Sequence, residues 1–115
     1  LNEVKWWLET ESLALQSLGL RALLSLATSP EYDNMPAILH LLTPFVRTTP
    51  AAVKPDVLDL LASLASHSPK ETAFFLRQNL EALENPDTAW LTRQSLPHFP
   101  VDTRDSLRLA LRQVR

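Results

Sequence analysis

Four arginines, Arg104, Arg108, Arg112 and Arg115, follow one another at spacings of four, four and three. On a helix this spacing aligns four guanidinium groups on one stripe, with Leu107, Ala110, Leu111 and Val114 on the other side. A row of guanidinium groups suits phosphates or an acidic protein surface. The same row also serves as the solvated side of an amphipathic helix, favoured by the macrodipole at its C-terminal end. Arg47 and Arg77 lie in earlier apolar-periodic segments and would join this surface if those segments share its face. Residues 1–59 carry four bases against seven acids, whereas residues 60–115 carry seven against six. An anion-binding site is therefore expected in the second half, with Arg77, Arg104, Arg108, Arg112 and Arg115 as candidates.

Trp6 and Trp7 are adjacent, so on a helix their side chains point about 100° apart, one inward and one outward. The outward ring is a candidate for packing on a partner or stacking on a base. Trp90, next to Leu91 and near Leu96, reads as core. The histidines, His40, His67 and His98, have no partner at metal-ligand spacing, and the last two fall at expected helix ends, where an imidazole can meet free carbonyls. One glycine cannot supply a phosphate-cradling loop, and no nucleophile elbow occurs. The absence of cysteine excludes thiolate chemistry and disulfides, and is consistent with a cytoplasmic protein. No cofactor, metal or small-molecule substrate is expected, and the balance leans away from an enzyme.

These side chains need elements to position them. The chain of 115 residues has room for one core, with roughly 65% of the extended-chain surface removed from water. Apolar residues make up 45% and charged residues 21%, an ordinary globular balance. Charges interrupt every apolar stretch before the ~18 residues of a membrane span. The net charge of −2 lacks the bulk positive field of a dedicated nucleic-acid binder. Leu1 without an initiator Met suggests a piece of a longer chain. One Gly against nine Pro argues against hairpins. Proline instead marks helix starts: Ser29-Pro30, Thr49-Pro50, Ser68-Pro69, Asn85-Pro86 and Phe99-Pro100, at intervals of 20, 19, 17 and 14. Ser68-Pro69-Lys70-Glu71 reads as a capping box, and Asp102-Thr103-Arg104-Asp105 as a weaker one.

Between these starts the apolar spacing is helical, as in Leu13, Leu20, Leu23, Leu24 and Ala27, and again in Val57, Leu60, Leu61, Leu64 and Ala65. Helices are expected at about 10–28, 34–48, 50–66, 69–83, 86–97 and 102–114, with residues 1–8 ending a further one and kinks or splits at Pro44 and Pro55. A shift of 38 carries Leu20, Leu23, Ser25, Leu26 and Ala27 onto Leu58, Leu61, Ser63, Leu64 and Ala65. It also carries Ile38, Leu42 and Phe45 onto Leu76, Leu80 and Leu83. A two-helix unit of this length lies in the range of HEAT and armadillo repeats. The expected fold is all-α: a short right-handed α-solenoid of three helical pairs forming a single domain, with a closed helical bundle as the alternative.

The stretch from Glu11 through Leu20-Arg21-Ala22-Leu23-Leu24, and the run from Val57 through Ser68-Pro69-Lys70-Glu71 to Leu76, resemble central repeats of the HEAT-like alkylpurine DNA glycosylases, the DNA alkylation repair family. That family carries an aromatic residue and two arginines where this chain has Ala14, Gln16 and Ser17, and a Trp where it has Asp59. Its catalytic Asp belongs upstream of position 11, where only Glu3 and Glu9 occur. The resemblance thus implies the fold and a non-catalytic relative. The expected function is a helical-repeat module or scaffold that docks a protein partner, with no membrane association. The alternative is a nucleic-acid-binding domain of a DNA alkylation repair-like protein, using the arginine stripe and an exposed Trp.

Overall fold

The computed structural model describes residues 2–113, and every regular element among them is helical. The order is α1 (Asn2–Glu9), α2 (Leu13–Thr28), α3 (Met35–Arg47), a 3-10 turn (Ala51–Val53), α4 (Lys54–His67), α5 (Pro69–Leu80), α6 (Thr88–Ser95), a second 3-10 turn (Leu96–His98) and α7 (Val101–Arg112). Among the described residues no helix is long and apolar enough to cross a membrane. Val114 and Arg115, the last members of the expected stripes, lie outside the described residues.

The starts differ from expectation in instructive ways. Ser29 closes α2 instead of opening the next helix, which is capped by the Asn34 side chain accepting from the Ala37 amide at 3.3 Å. The capping box at Ser68 does not form; its side chain makes no cap bond. Thr72, buried one turn in, instead donates its hydroxyl to the Leu64 carbonyl of α4 at 3.1 Å. Asn85 does not start a helix either: its amide nitrogen donates to the carbonyls of Asn79 and Leu80 and so closes α5. Pro55 splits its segment into a 3-10 turn and α4, whereas α3 runs unbroken through Pro44. The carbonyl deprived of a donor there belongs to exposed His40, so water can satisfy it.

One contiguous apolar cluster runs from Leu8 to Leu107. Val57, Leu60, Leu61, Leu64 and Ala65 are all fully buried, as are Leu23 and Ile38 with their repeat partners Leu61 and Leu76. The repeat fails at Leu83, which is fully exposed because α5 has already ended, while its counterpart Phe45 is buried. Leu13 is also exposed, and Trp90 is not core: its ring is 40% exposed and lies under the Lys54 ammonium, 5.0 Å from the centroid. Gly19 lets α1 lie close on α2, since a Cβ there would stand 2.8 Å from Leu8 Cδ2.

Contacts between helices follow a regular rule. α2 packs on α4, α3 on α5, α4 on α6 and α5 on α7, so from α2 to α5 each helix meets the one two places further along, while α1 lies on α2. Polar side chains stitch the same pairs. Asp56 on α4 accepts from Ser17 Oγ at 2.7 Å and from Arg21 Nε at 3.3 Å on α2. Arg47 Nε on α3 donates to Asn79 Oδ1 on α5 at 2.9 Å, and Arg77 Nη1 on α5 donates to Ser106 Oγ on α7 at 2.6 Å. The turn after α3 and the turn before α6 are joined through Asp87: its Oδ2 accepts from the Thr49 amide at 2.6 Å and its own amide donates to the Arg47 carbonyl at 3.1 Å. Thr88 adds a bond from its hydroxyl to the Val46 carbonyl at 2.8 Å.

The Asp56 carboxylate is largely covered, whereas Arg21 is mostly solvated. Removing the acceptor leaves the half-buried Ser17 hydroxyl without its bond; removing the arginine loses only a surface ion pair. Asp56→Ala should therefore lower unfolding stability by about 1–2 kcal/mol, and Arg21→Ala by less than about 1 kcal/mol, in paired urea titrations. Equal losses would show that the ion pair, not the hydroxyl bond, joins α2 to α4.

Candidate functional site

The odd-numbered helices carry the depressions of the surface. Between α5 and α7 lies a groove of about 770 Å³, lined by Leu80, Leu83, Leu109 and Ala110, with Arg77, Glu81, Ser106 and Gln113 among its polar members. The Arg77–Ser106 bond crosses the valley between these two helices and closes one end of this groove. On the other side of that bond a shallower hollow of about 300 Å³ carries Lys70, Asp102 and Thr103. A third depression, about 350 Å³, separates α1 from α3 and is lined by Lys5, Leu8, Glu9, His40, Leu41, Pro44 and Phe45.

The structure distributes the candidate residues differently from the expected single basic surface. Ser106, Leu109, Ala110 and Gln113 face the groove. At about 100° per residue, Arg108 lies roughly 160° from Ser106 around the α7 axis. Arg108 is exposed on that far side, its Nη1 pairing loosely with Asp105 at 3.5 Å, whereas exposed Arg112 lies about 60° around the helix from the groove residue Leu109. Arg104 is partly buried and turned back, with Nη2 donating to the Phe99 carbonyl at 3.0 Å. Its Nε is buried with no hydrogen-bond partner among the described residues. Arg77 therefore does not join the stripe; it belongs to the groove on the opposite side of α7. Arg115 lies outside the described residues.

Trp6 is 60% exposed on α1, while Trp7 is half-buried, with its Cβ near Gly19. His67 meets a carbonyl at the end of α4, its Nδ1 lying 2.8 Å from the Ser63 oxygen. His98 is exposed at the end of the second 3-10 turn, and His40 lines the α1/α3 depression. Among the described residues no group of three or more His, Asp or Glu is arranged to hold an ion.

Sequence reasoning missed Leu83, Leu109 and Glu81. Leu109 carried a readable signal, because it sits 200° around the helix from buried Leu107 and so is apolar on the wrong side for the core. Asp56 and Asp87 were also legible in principle. Asp87 reaches Thr49 across 38 residues and Asp56 reaches Ser17 across 39, so these bonds span one repeat length. The groove offers apolar area with polar edges of both signs, which is the composition of a protein-docking surface more than of a phosphate site. Comparison of the chain with protein-family models, with curated proteins and with solved structures finds no match in any of the three.

Proposed function

We propose that the chain is a short right-handed α-solenoid of HEAT-like pairs, α2/α3, α4/α5 and α6/α7, acting as a non-catalytic module whose odd-helix face docks a protein partner. The packing of each helix from α2 to α5 on the one two places along supports the solenoid reading over a closed bundle, because it is the succession that stacked hairpins make. One observation carries the functional reading. The three depressions described above lie between odd-numbered helices, and each combines at least one base with an acid: Lys5 with Glu9, Arg77 with Glu81, and Lys70 with Asp102. The two larger ones add leucines. A nucleic-acid groove would be continuously basic.

The resemblance to the DNA alkylation repair family contributes the fold to this reading and no catalytic group. The nucleic-acid alternative rests on Arg108 and Arg112, the exposed described members of the stripe, which line none of the three grooves.

Affinity capture from cell extract with three baits tests the proposal: the unmodified chain, Leu109→Asp on the groove and Leu18→Asp on the exposed side of α2. A protein retained by the first and third baits and reduced about tenfold or more with Leu109→Asp is the expected result, since a charge in an apolar contact costs more than ~1.4 kcal/mol. Retention equal on all three baits would overturn it. So would direct binding of labelled DNA duplex that weakens steeply with salt.

A further inference from the structure

Among the described residues, the groove between α5 and α7 contains a cation held in no ion pair, with Asp102 sharing only the adjoining hollow. Arg77 is partly buried, lies between two helices, and forms no ion pair among the described residues. Its one hydrogen bond within the described residues goes from Nη1 to the neutral Ser106 hydroxyl. A guanidinium has five N–H donors in a planar fork matched to a carboxylate, and partial burial makes an unpaired charge costly. One turn further on, Glu81 lines the same groove, exposed and likewise without an ion pair among the described residues. Leu80, Leu83 and Leu109 form the apolar surface alongside these two charges. Leu83 and Leu109 are large apolar side chains exposed at the rim among the described residues.

We infer that the α5/α7 groove receives an amphipathic helix that sets a carboxylate on Arg77 and a base on Glu81, one helical turn apart on one flank, with an apolar stripe beside them against Leu80, Leu83 and Leu109. The match follows from spacing: residues four apart on an incoming helix are about 6 Å apart along its axis, and so are Arg77 and Glu81 on α5. The apolar stripe supplies affinity, and the two charges set register and direction. This inference rests on the protein-docking reading and specifies its partner.

A displayed library of four-turn amphipathic helices, with the positions flanking the apolar stripe randomised, is the probe. It is selected against the whole chain and then measured on Arg77→Gln, Glu81→Gln, Leu109→Asp and His40→Glu, each first checked for native helicity. Selected sequences should carry Asp or Glu on one flank and Lys or Arg one turn away. Arg77→Gln should weaken them about tenfold, as loss of a charge-assisted bidentate contact does. Replacing the peptide carboxylate by its amide should then cost nothing further on Arg77→Gln. Glu81→Gln, an exposed change without structural consequence, should weaken binding less and only for peptides carrying the base. Binders without an acid preference, or indifferent to Arg77→Gln, overturn the inference. If those binders are lost with His40→Glu, the docking face stands while this partner assignment falls. Binders indifferent to both Leu109→Asp and His40→Glu remove the docking reading as well.

Discussion

Leu61→Ala should lower the unfolding free energy by about 2–5 kcal/mol, whereas Leu83→Ala should leave it within ~0.5 kcal/mol. The two leucines are chemically identical, and both lie in the repeat-matched sets. Leu61 is fully buried on α4, the helix that packs on α2, α5, α6 and both 3-10 turns, so a cavity there touches most of the core at once. Leu83 stands wholly in solvent beyond the end of α5. For a domain whose total stability is on the order of 5–15 kcal/mol, the first change removes a large share and should lower the melting temperature by roughly ten degrees or more. Thermal unfolding followed by circular dichroism measures both. A comparable loss in Leu83→Ala would mean that this side chain is covered by the chain itself, and the groove would lose its rim.

The second large effect is expected at Gly19. Alanine there gains about 1 kcal/mol of helix propensity but brings a Cβ to 2.8 Å from Leu8 Cδ2 and 3.0 Å from Leu8 Cγ. The tip of a leucine can shift, so Gly19→Ala should change stability by less than about 1 kcal/mol. Valine adds two further methyl groups to a Cβ that already stands 2.8 Å from Leu8 Cδ2 and 3.4 Å from Trp7 Cβ, so a shift of the Leu8 tip alone is not expected to make room. Gly19→Val should cost about 2–3 kcal/mol and release α1 from α2. α1 has eight residues, too few to hold helix unaided, so release means melting. Tryptophan emission should shift to longer wavelength as Trp7 loses cover, and the α1 amides should exchange with solvent while those of α4 stay protected. An unshifted spectrum with protected α1 amides would show that α1 can slide without losing its seat.

How far the sequence reaches depends on whether a feature is local. Apolar periodicity found α2 through α7 within a few residues, because each helix buries a stripe whose spacing is written in consecutive residues. Proline pairs located the breaks between helices, but not which residue caps which end. Ser29 and Asn85 look like starts and serve as ends, since the same short polar side chain can reach either direction and only the neighbouring turn decides. Trp90 looked like core from its neighbours Leu91 and Leu96, yet it falls on the outer side of a short helix, where Lys54 of another helix covers it. Arg104, Arg108 and Arg112 all belong to one helix, α7, as their spacing predicts. Whether their side faced a groove depended on the placement of α5, about 30 residues away, and the grouping of Arg77 with the stripe failed for that reason. Glu81 and Leu83 became visible as site residues only once α5 had an end and α7 a neighbour.

The rule by which helices meet also governs how quickly the chain can organise. Every substantial contact joins helices that are neighbours, or two or three places apart, so no segment must wait for a distant end of the chain. Loop-closure entropy is modest at each step, and topologies of this kind belong among the rapid folders. Structure can nucleate around α4, which meets more elements than any other helix described, and spread outward in both directions.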